Sequence, residues 1–169
     1  MECVNCRKLN ATLTCEQCSE PVCKKCVEIL PENTFKLMPT IPEPLSHIRY
    51  CGGCYAEQVE PEIAQYEETL ENAKRVFVFF KTRKKSLPIT GKEKIREIVE
   101  SCPDRDETIL RLAFIAASKG YNAIIEVEAL SKKIRNGAYQ TSVWSGSGIP
   151  AQVDSSRIYD EDMQDAVYR

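Results

Sequence analysis

From Ala56 onward the chain alternates between two hydrophobic periods. Val59, Ile63, Tyr66, Leu70 and Ala73 are spaced four, three, four and three residues apart, which is one seam along a helix. Pro61 suits the first turn of such a helix, and Glu57, Glu60, Glu62, Glu67, Glu68 and Glu71 occupy its other faces. The pattern predicts an acidic amphipathic arm over residues 56–74, either packed on its own neighbours or forming a short coiled coil of two heptads. The run VFVFF at 76–80, β-branched and aromatic, predicts a buried strand. Ile95, Ile98 and Val99 leave residues 94–100 open between strand and helix. Asp104 or Asp106 can cap a helix that carries Ile109, Leu110, Leu112, Ala113, Ala116 and Ala117 to Gly120, and this should be the best-buried helix. Asn122–Ala129 alternates Ala123, Ile125 and Val127 against Ile124, Glu126 and Glu128, a strand with one apolar face. Asn136 and Gly137 signal a turn, so 131–135 and 138–144 should pair as a hairpin, followed by a flexible loop at Ser145–Gly148. Residues 75–153 therefore read as an α+β domain with one sheet and one main helix.

Before residue 55 neither period holds, and cysteine takes over. Eight of the nine cysteines form four CxxC pairs, Cys3/Cys6, Cys15/Cys18, Cys23/Cys26 and Cys51/Cys54, separated by gaps of eight, four and twenty-four residues. A two-residue spacer lets both thiolates of a pair reach one metal ion, and two pairs complete a tetrahedral S4 site of the kind that selects zinc. Four pairs imply two Zn2+ ions. The four residues between Cys18 and Cys23 make it hard for neighbouring pairs to share an ion. The expected arrangement is a cross-brace, with Cys3, Cys6, Cys23 and Cys26 on the first zinc and Cys15, Cys18, Cys51 and Cys54 on the second. The alternatives, a disulfide framework or a redox CxxC, fit less well with four evenly paired motifs and no recognisable signal peptide. Cys102 reads as a small packed residue near a helix start; His47, four residues before Cys51, could replace a ligand, but with eight thiolates at hand it reads as a surface residue or one that supports the ligands. Between Cys6 and Cys15, RKLNATLT can supply one short strand of a metal-supported hairpin. The prolines at 31, 39, 42 and 44 argue for an extended loop held on the metal core by Phe35, Leu37 and Ile41.

The segment CEQCSEPVCKKC and the close IRYCGGCY resemble FYVE-type zinc fingers, which are treble-clef cross-brace modules; the resemblance covers residues 1–55. It implies two zincs and the treble-clef fold. B-box and RING fingers share part of the pattern, but the last pair Cys51/Cys54 stands where a B-box has closely spaced histidines, and the central histidine of a RING is missing. The residues that give FYVE modules their phosphoinositide site are mostly absent: no tryptophan motif stands at Met1 and Glu2, and Ala11–Thr14 precede the second pair in place of a basic cluster. Arg49 alone matches a basic position, with Lys24 and Lys25 nearby, too few donors for a phosphate monoester. Farther along, KGYNAIIEVEA and AYQTSVWSGSG resemble the YbjQ-like family of small bacterial domains, some of which assemble into rings; this resemblance implies self-association and transfers no catalytic residue.

Charge and composition then narrow the function. The formal net charge is −2 with 28% charged residues, so the chain as a whole has no bulk attraction to nucleic acid or anionic membrane, and any such binding must come from a local patch. Lys81, Arg83, Lys84 and Lys85 form such a cluster, either a solvated loop or a contact for phosphate or anionic lipid. No apolar run is long enough to span a bilayer, and reduced cysteines favour the cytoplasm. With one histidine, and every CxxC pair committed to a closed site, an enzyme is hard to assemble. The expectation is a non-enzymatic zinc-binding interaction or scaffold protein with a protein partner, and self-assembly through its second domain. A membrane-recruitment module and a ubiquitin-ligase-like finger are the alternatives, and nucleic acid is not expected as a partner, because no stacking aromatics interleave with the Lys81–Lys85 charges. Residues 154–169, with five acidic and two basic side chains, read as an acidic tail.

Overall fold

The computed structural model describes residues 1–158; the expected acidic tail lies, from residue 159 on, outside the described residues. The described chain divides into two compact units, one made of Met1–Lys36 and Thr40–Glu67, the other of Leu37–Pro39 and the described residues from Glu68 onward.

The first unit is built from very short elements. Strands β1 (Leu13–Thr14) and β2 (Pro21–Val22) pair antiparallel, and β3 (Glu28–Ile29) pairs with β4 (Arg49–Tyr50). The proline-rich stretch between β3 and β4 is a run of turns with one 3-10 turn at Glu43–Leu45. Phe35 is buried there with its ring edge-on to Tyr66, centroids 5.4 Å apart. Ile41, expected to pack on the metal core, is instead exposed at 40%, and Leu37 is buried but belongs to the second unit. Tyr50 is fully buried, its hydroxyl donating to the Pro44 carbonyl at 2.6 Å, which ties the loop to β4.

Helix starts earlier than periodicity suggests. Cys51 caps α1 (Gly52–Cys54), which runs through a π turn at Tyr55–Val59 into α2 (Glu60–Ala73). Pro61 therefore lies inside a continuous helical path. Its nitrogen cannot donate and its ring crowds the preceding turn. The wider π turn, in which the Glu60 N–H reaches back to the Tyr55 carbonyl, accommodates it. The seam itself is as expected: Val59, Tyr66 and Ala73 are buried, Ile63 and Leu70 half-buried.

The second unit is α+β. Strands β5 (Phe77–Phe80), β6 (Ile89–Lys92) and β7 (Glu97–Cys102) precede helix α3 (Arg105–Ser118), and β8 (Ala123–Asn136) and β9 (Tyr139–Val153) follow it. The five strands make one mixed sheet in the order β5-β8-β9-β6, with β7 also on β9; β5 runs parallel to β8, and the β6–β9, β7–β9 and β8–β9 pairs are antiparallel. Asp104 caps α3 by accepting from the Glu107 N–H at 2.7 Å, and Gly120, at φ +81°, closes it. Leu112, Ala113 and Ala116 are wholly buried; Leu110 and Ala117 are only half-buried, while Thr108, Phe114 and Ile115 join the core.

Three expectations about the sheet are corrected. Residues 122–129 and 131–135 are not separate strands: β8 is continuous, but its register shifts between Ile125 and Glu128, with Glu126 in the left-handed region at φ +52°. That bulge turns Val127 to the side of Ile124, against Gly148, while Ala123 and Ile125 pack with Phe77, Phe79, Ala151 and Val153 on the other face. Arg96 holds the bulge, donating to the Glu126 carbonyl at 2.8 Å and pairing with its carboxylate at 2.6 Å. Second, Ser145–Gly148 is not a flexible loop but part of β9, paired with both β7 and β8. A Cβ on Gly146 would stand 2.5 Å from the Thr108 methyl, so glycine there lets α3 approach the sheet; one on Gly148 would stand 2.8 Å from Ile124 and 3.2 Å from Val127, so glycine there makes room for the β8 side chains around the bulge. The hairpin turn also sits one residue later than expected: Asn136 pairs with Tyr139, and Gly137 at φ +64° and Ala138 form the turn.

Candidate metal centre

Each CxxC forms a tight turn that aims both sulfurs to one side. In the first two the residue after the second cysteine is left-handed, Arg7 at φ +60° and Ser19 at φ +62°. Each returns its N–H to the carbonyl of the first cysteine, Cys3 or Cys15, at 2.9 Å. The Cys15/Cys18 turn forms the tip of the β1–β2 hairpin and Cys23 follows its base, so one hairpin sends cysteines to two different places. Cys3, Cys6, Cys23 and Cys26 form one cluster and Cys15, Cys18, Cys51 and Cys54 another, all four sulfurs in each lying within 4.8 Å of one another. This is the cross-brace pairing.

The sulfur spacing fits a metal. The Cys6–Cys23 and Cys18–Cys51 Sγ atoms are 3.9 and 3.8 Å apart. A tetrahedral ion with metal–sulfur bonds near 2.3 Å needs edges of about 3.8 Å, well beyond a disulfide bond. Backbone N–H groups point at the sulfurs as well, Cys23 to Cys3 at 3.3 Å and Cys54 to Cys51 at 3.5 Å. The N–H of Cys6, with smaller help from Cys23 and Asn5, draws the Cys3 thiol down to about 6 against the effect of burial. Burial pushes the Cys15 thiol up, but the N–H groups of Cys18, Cys51 and Gln17 outweigh it and leave it at about 7. The last thiol of each set moves the other way: Cys23 and Cys6 beside Cys26 push it up to about 12, and burial with Cys51 and Cys18 raises Cys54 further. Four sulfurs this close cannot all ionise unaided, and a bound dication removes that conflict with release of protons. The second cluster is the more open, with Cys18 exposed where every sulfur ligand of the first is buried or half-buried.

Two residues outside the cysteine pattern hold the second cluster. Glu16 accepts from the Ile48 N–H at 2.8 Å and the Arg49 N–H at 3.3 Å, its other oxygen pairs with the Arg49 guanidinium at 2.7 Å, and its own N–H donates to the Arg49 carbonyl. This fastens the Cys15 turn to β4, two residues before Cys51. Asn5, inside the first CxxC, accepts from the Gly52 N–H at 3.3 Å and so reaches the last CxxC. No periodic or spacing signal marks either residue in the sequence. The Ile48 N–H, then Arg49, hold the Glu16 carboxyl below its ordinary value of 4.5. A carboxyl so depressed stabilises the fold fully above that ordinary value, and the contribution is lost as pH falls through the lower folded value. Glu16→Gln should therefore cost about 1 kcal/mol at neutral pH, and thermal melts of variant and parent should converge in acid; a gap that persists unchanged in acid would refute this role.

The basic candidates are divided between the two units. Lys24 and Lys25 are exposed in the first unit, where Arg49 is engaged by Glu16. In the second unit Lys81 pairs with Glu128 at 3.2 Å and Arg83 lies over the Phe79 ring at 5.1 Å, with Lys84 and Lys85 exposed beside them. His47 is half-buried, its ring 6.1 Å from Tyr50, and belongs to neither cysteine cluster. Cys102 is buried at the end of β7, in contact with the Glu100 carbonyl. Among the described residues no helix is long and apolar enough to cross a membrane. No protein-family model, curated protein or solved structure matches this chain.

Proposed function

We propose that the chain is a non-enzymatic zinc-binding interaction protein, in which two structural Zn2+ ions build a FYVE-like cross-brace finger joined by a helical arm to an α+β unit. The observation that carries this reading is the donor set: each cluster offers four thiols at tetrahedral spacing, and four thiolates fill the coordination of zinc, with no position left for a reacting water. Zinc is favoured over harder cations because every donor is sulfur. The engagement of Arg49 by Glu16 supports a finger that keeps the scaffold without the phosphoinositide site.

Native mass spectrometry of protein purified without added metal tests this. Two zincs per chain are expected. Fewer than two, or mass losses that match disulfides, would overturn the metal assignment. The same spectrum counts chains per particle: a defined oligomer supports a multivalent scaffold, and a monomer directs the search to a heterologous protein partner.

A further inference from the structure

Beyond the sheet, β8 and β9 continue as a free-standing two-stranded arm. Among the described residues the last rung flanked by a third strand is Ser131–Trp144, where β7 ends opposite with Cys102; from Lys132–Val143 to Asn136–Tyr139 each strand has only the other as a described partner. Residues 130–142 are all exposed. The five outer rungs project the tip about 17 Å.

The arm's chemistry is one-sided in charge. Lys132, Lys133 and Arg135 lie on it, and no aspartate or glutamate occurs anywhere from Ala129 to Val153 in a chain whose net charge is −2. The register sorts its side chains. One face carries Lys133 beside Ser142 and Arg135 beside Gln140, a cation next to a hydrogen-bonding group on each rung. The other carries Leu130, Ile134 and Tyr139, exposed at 67%, 42% and 79%, with Lys132, Thr141 and Asn136 between them.

We infer that this arm is a binding site for duplex DNA, entered into a groove. A two-stranded ribbon fits the width of the major groove. Lys132, Lys133 and Arg135 neutralise phosphates along the groove walls, Gln140 and Asn136 offer the donors and acceptors that meet base edges, and the apolar face suits thymine methyls and sugars. Pairing with a second copy through the same surface would set like charges against one another, whereas a polyanion is complementary on both faces. The Lys81–Lys85 loop is a poorer candidate, since Lys81 is paired with Glu128 and Arg83 is laid over Phe79. The inference does not depend on the metal clusters, and zinc content measured on the same samples keeps the two readings separate.

The test is fluorescence anisotropy of the full chain with a labelled duplex of about two helical turns over a salt series. Three phosphate contacts predict a log–log salt slope of about −3. Replacing Lys132, Lys133 and Arg135 together with serine should weaken binding at least about tenfold and flatten the slope by about one for each cation removed. Because these side chains are exposed, the melting curve should not move. Lys84→Ser, outside the arm, should leave binding intact. No binding at low salt, equal binding by the triple variant, or arm-dependent flotation with phosphatidylserine vesicles in place of duplex binding would each overturn the inference.

Discussion

With zinc in the two cysteine clusters, as proposed, a strong chelator is expected to unfold the first unit while the second stays folded. The reason is the make-up of the first unit's core. One buried cluster there consists of Cys3, Ala11, Val22 and Cys23, with Cys6, Leu13, Cys26 and Val27 packed around it, so half of its residues are the proposed metal ligands. Its four strands have two residues each. Pairs so short have no stability of their own in water. A structural zinc site contributes on the order of 10 kcal/mol to folding, more than the whole net stability of many small domains. The second unit has its own core, with Leu112, Ala113, Ala116, Ala123, Ile124 and Ala151 fully buried. Hydrogen exchange read by mass spectrometry separates the two. On chelation the amides of Val4, Cys15 and Cys23, bonded to the Pro21 carbonyl, the Glu20 carbonyl and the Cys3 sulfur, should lose protection. The amides of α3 and β8 should keep theirs. Lasting protection at Cys15 and Cys23 after complete metal removal would show that the fold does not depend on the ions. Cys23→Ser should reproduce the loss without a chelator, because it leaves three thiols around a position meant for four.

The cysteine clusters were legible in the sequence because a CxxC is a local device: its geometry depends on four consecutive residues, and the short gap between Cys18 and Cys23 carries the pairing rule. The helix seam was legible for a similar reason, since periodicity survives the π turn at Tyr55–Val59 even though the start of the helix does not. What escaped was decided by distant partners. Glu126 breaks the alternation of β8 by taking a left-handed conformation, and the bulge is held by Arg96, thirty residues earlier in the chain. Ile89–Lys92 has no apolar face of its own and is a strand only because β9 lies beside it. The SGSG stretch has the composition of a loop, and its real role shows only once α3 is set against Gly146 and the β8 side chains against Gly148. Lys132, Lys133 and Arg135 are unremarkable as a count; they become a charged arm because the hairpin outruns its sheet.

Gly146→Ala is expected to destabilise the second unit by about 2 kcal/mol, within the range typical of an overpacked core. The added Cβ would lie 2.5 Å from the Thr108 methyl, 3.2 Å from the Glu128 carbonyl oxygen and 3.2 Å from a Leu112 methyl. The Leu112 side chain can turn aside at small cost, and the carbonyl contact is tight but tolerable. Thr108 cannot move easily: it is wholly buried, and its hydroxyl donates to the Asp104 carbonyl at 2.7 Å in the first turn of α3. The helix must therefore lift from the sheet or the strand must bend. Thr108→Ser removes the offending methyl and keeps the hydroxyl with its hydrogen bond. Alone it should be mildly destabilising, because it leaves a small void. Combined with Gly146→Ala it should recover more than half of the loss, a coupling readable in a double-mutant cycle by denaturant unfolding. Additive losses would mean that α3 is not held against β9 at this point, and a neutral Gly146→Ala would mean that small residues here serve no packing need. The direction of the coupling distinguishes close packing from strand propensity: alanine is at least as good a strand residue as glycine, so only the contact with Thr108 makes the substitution costly.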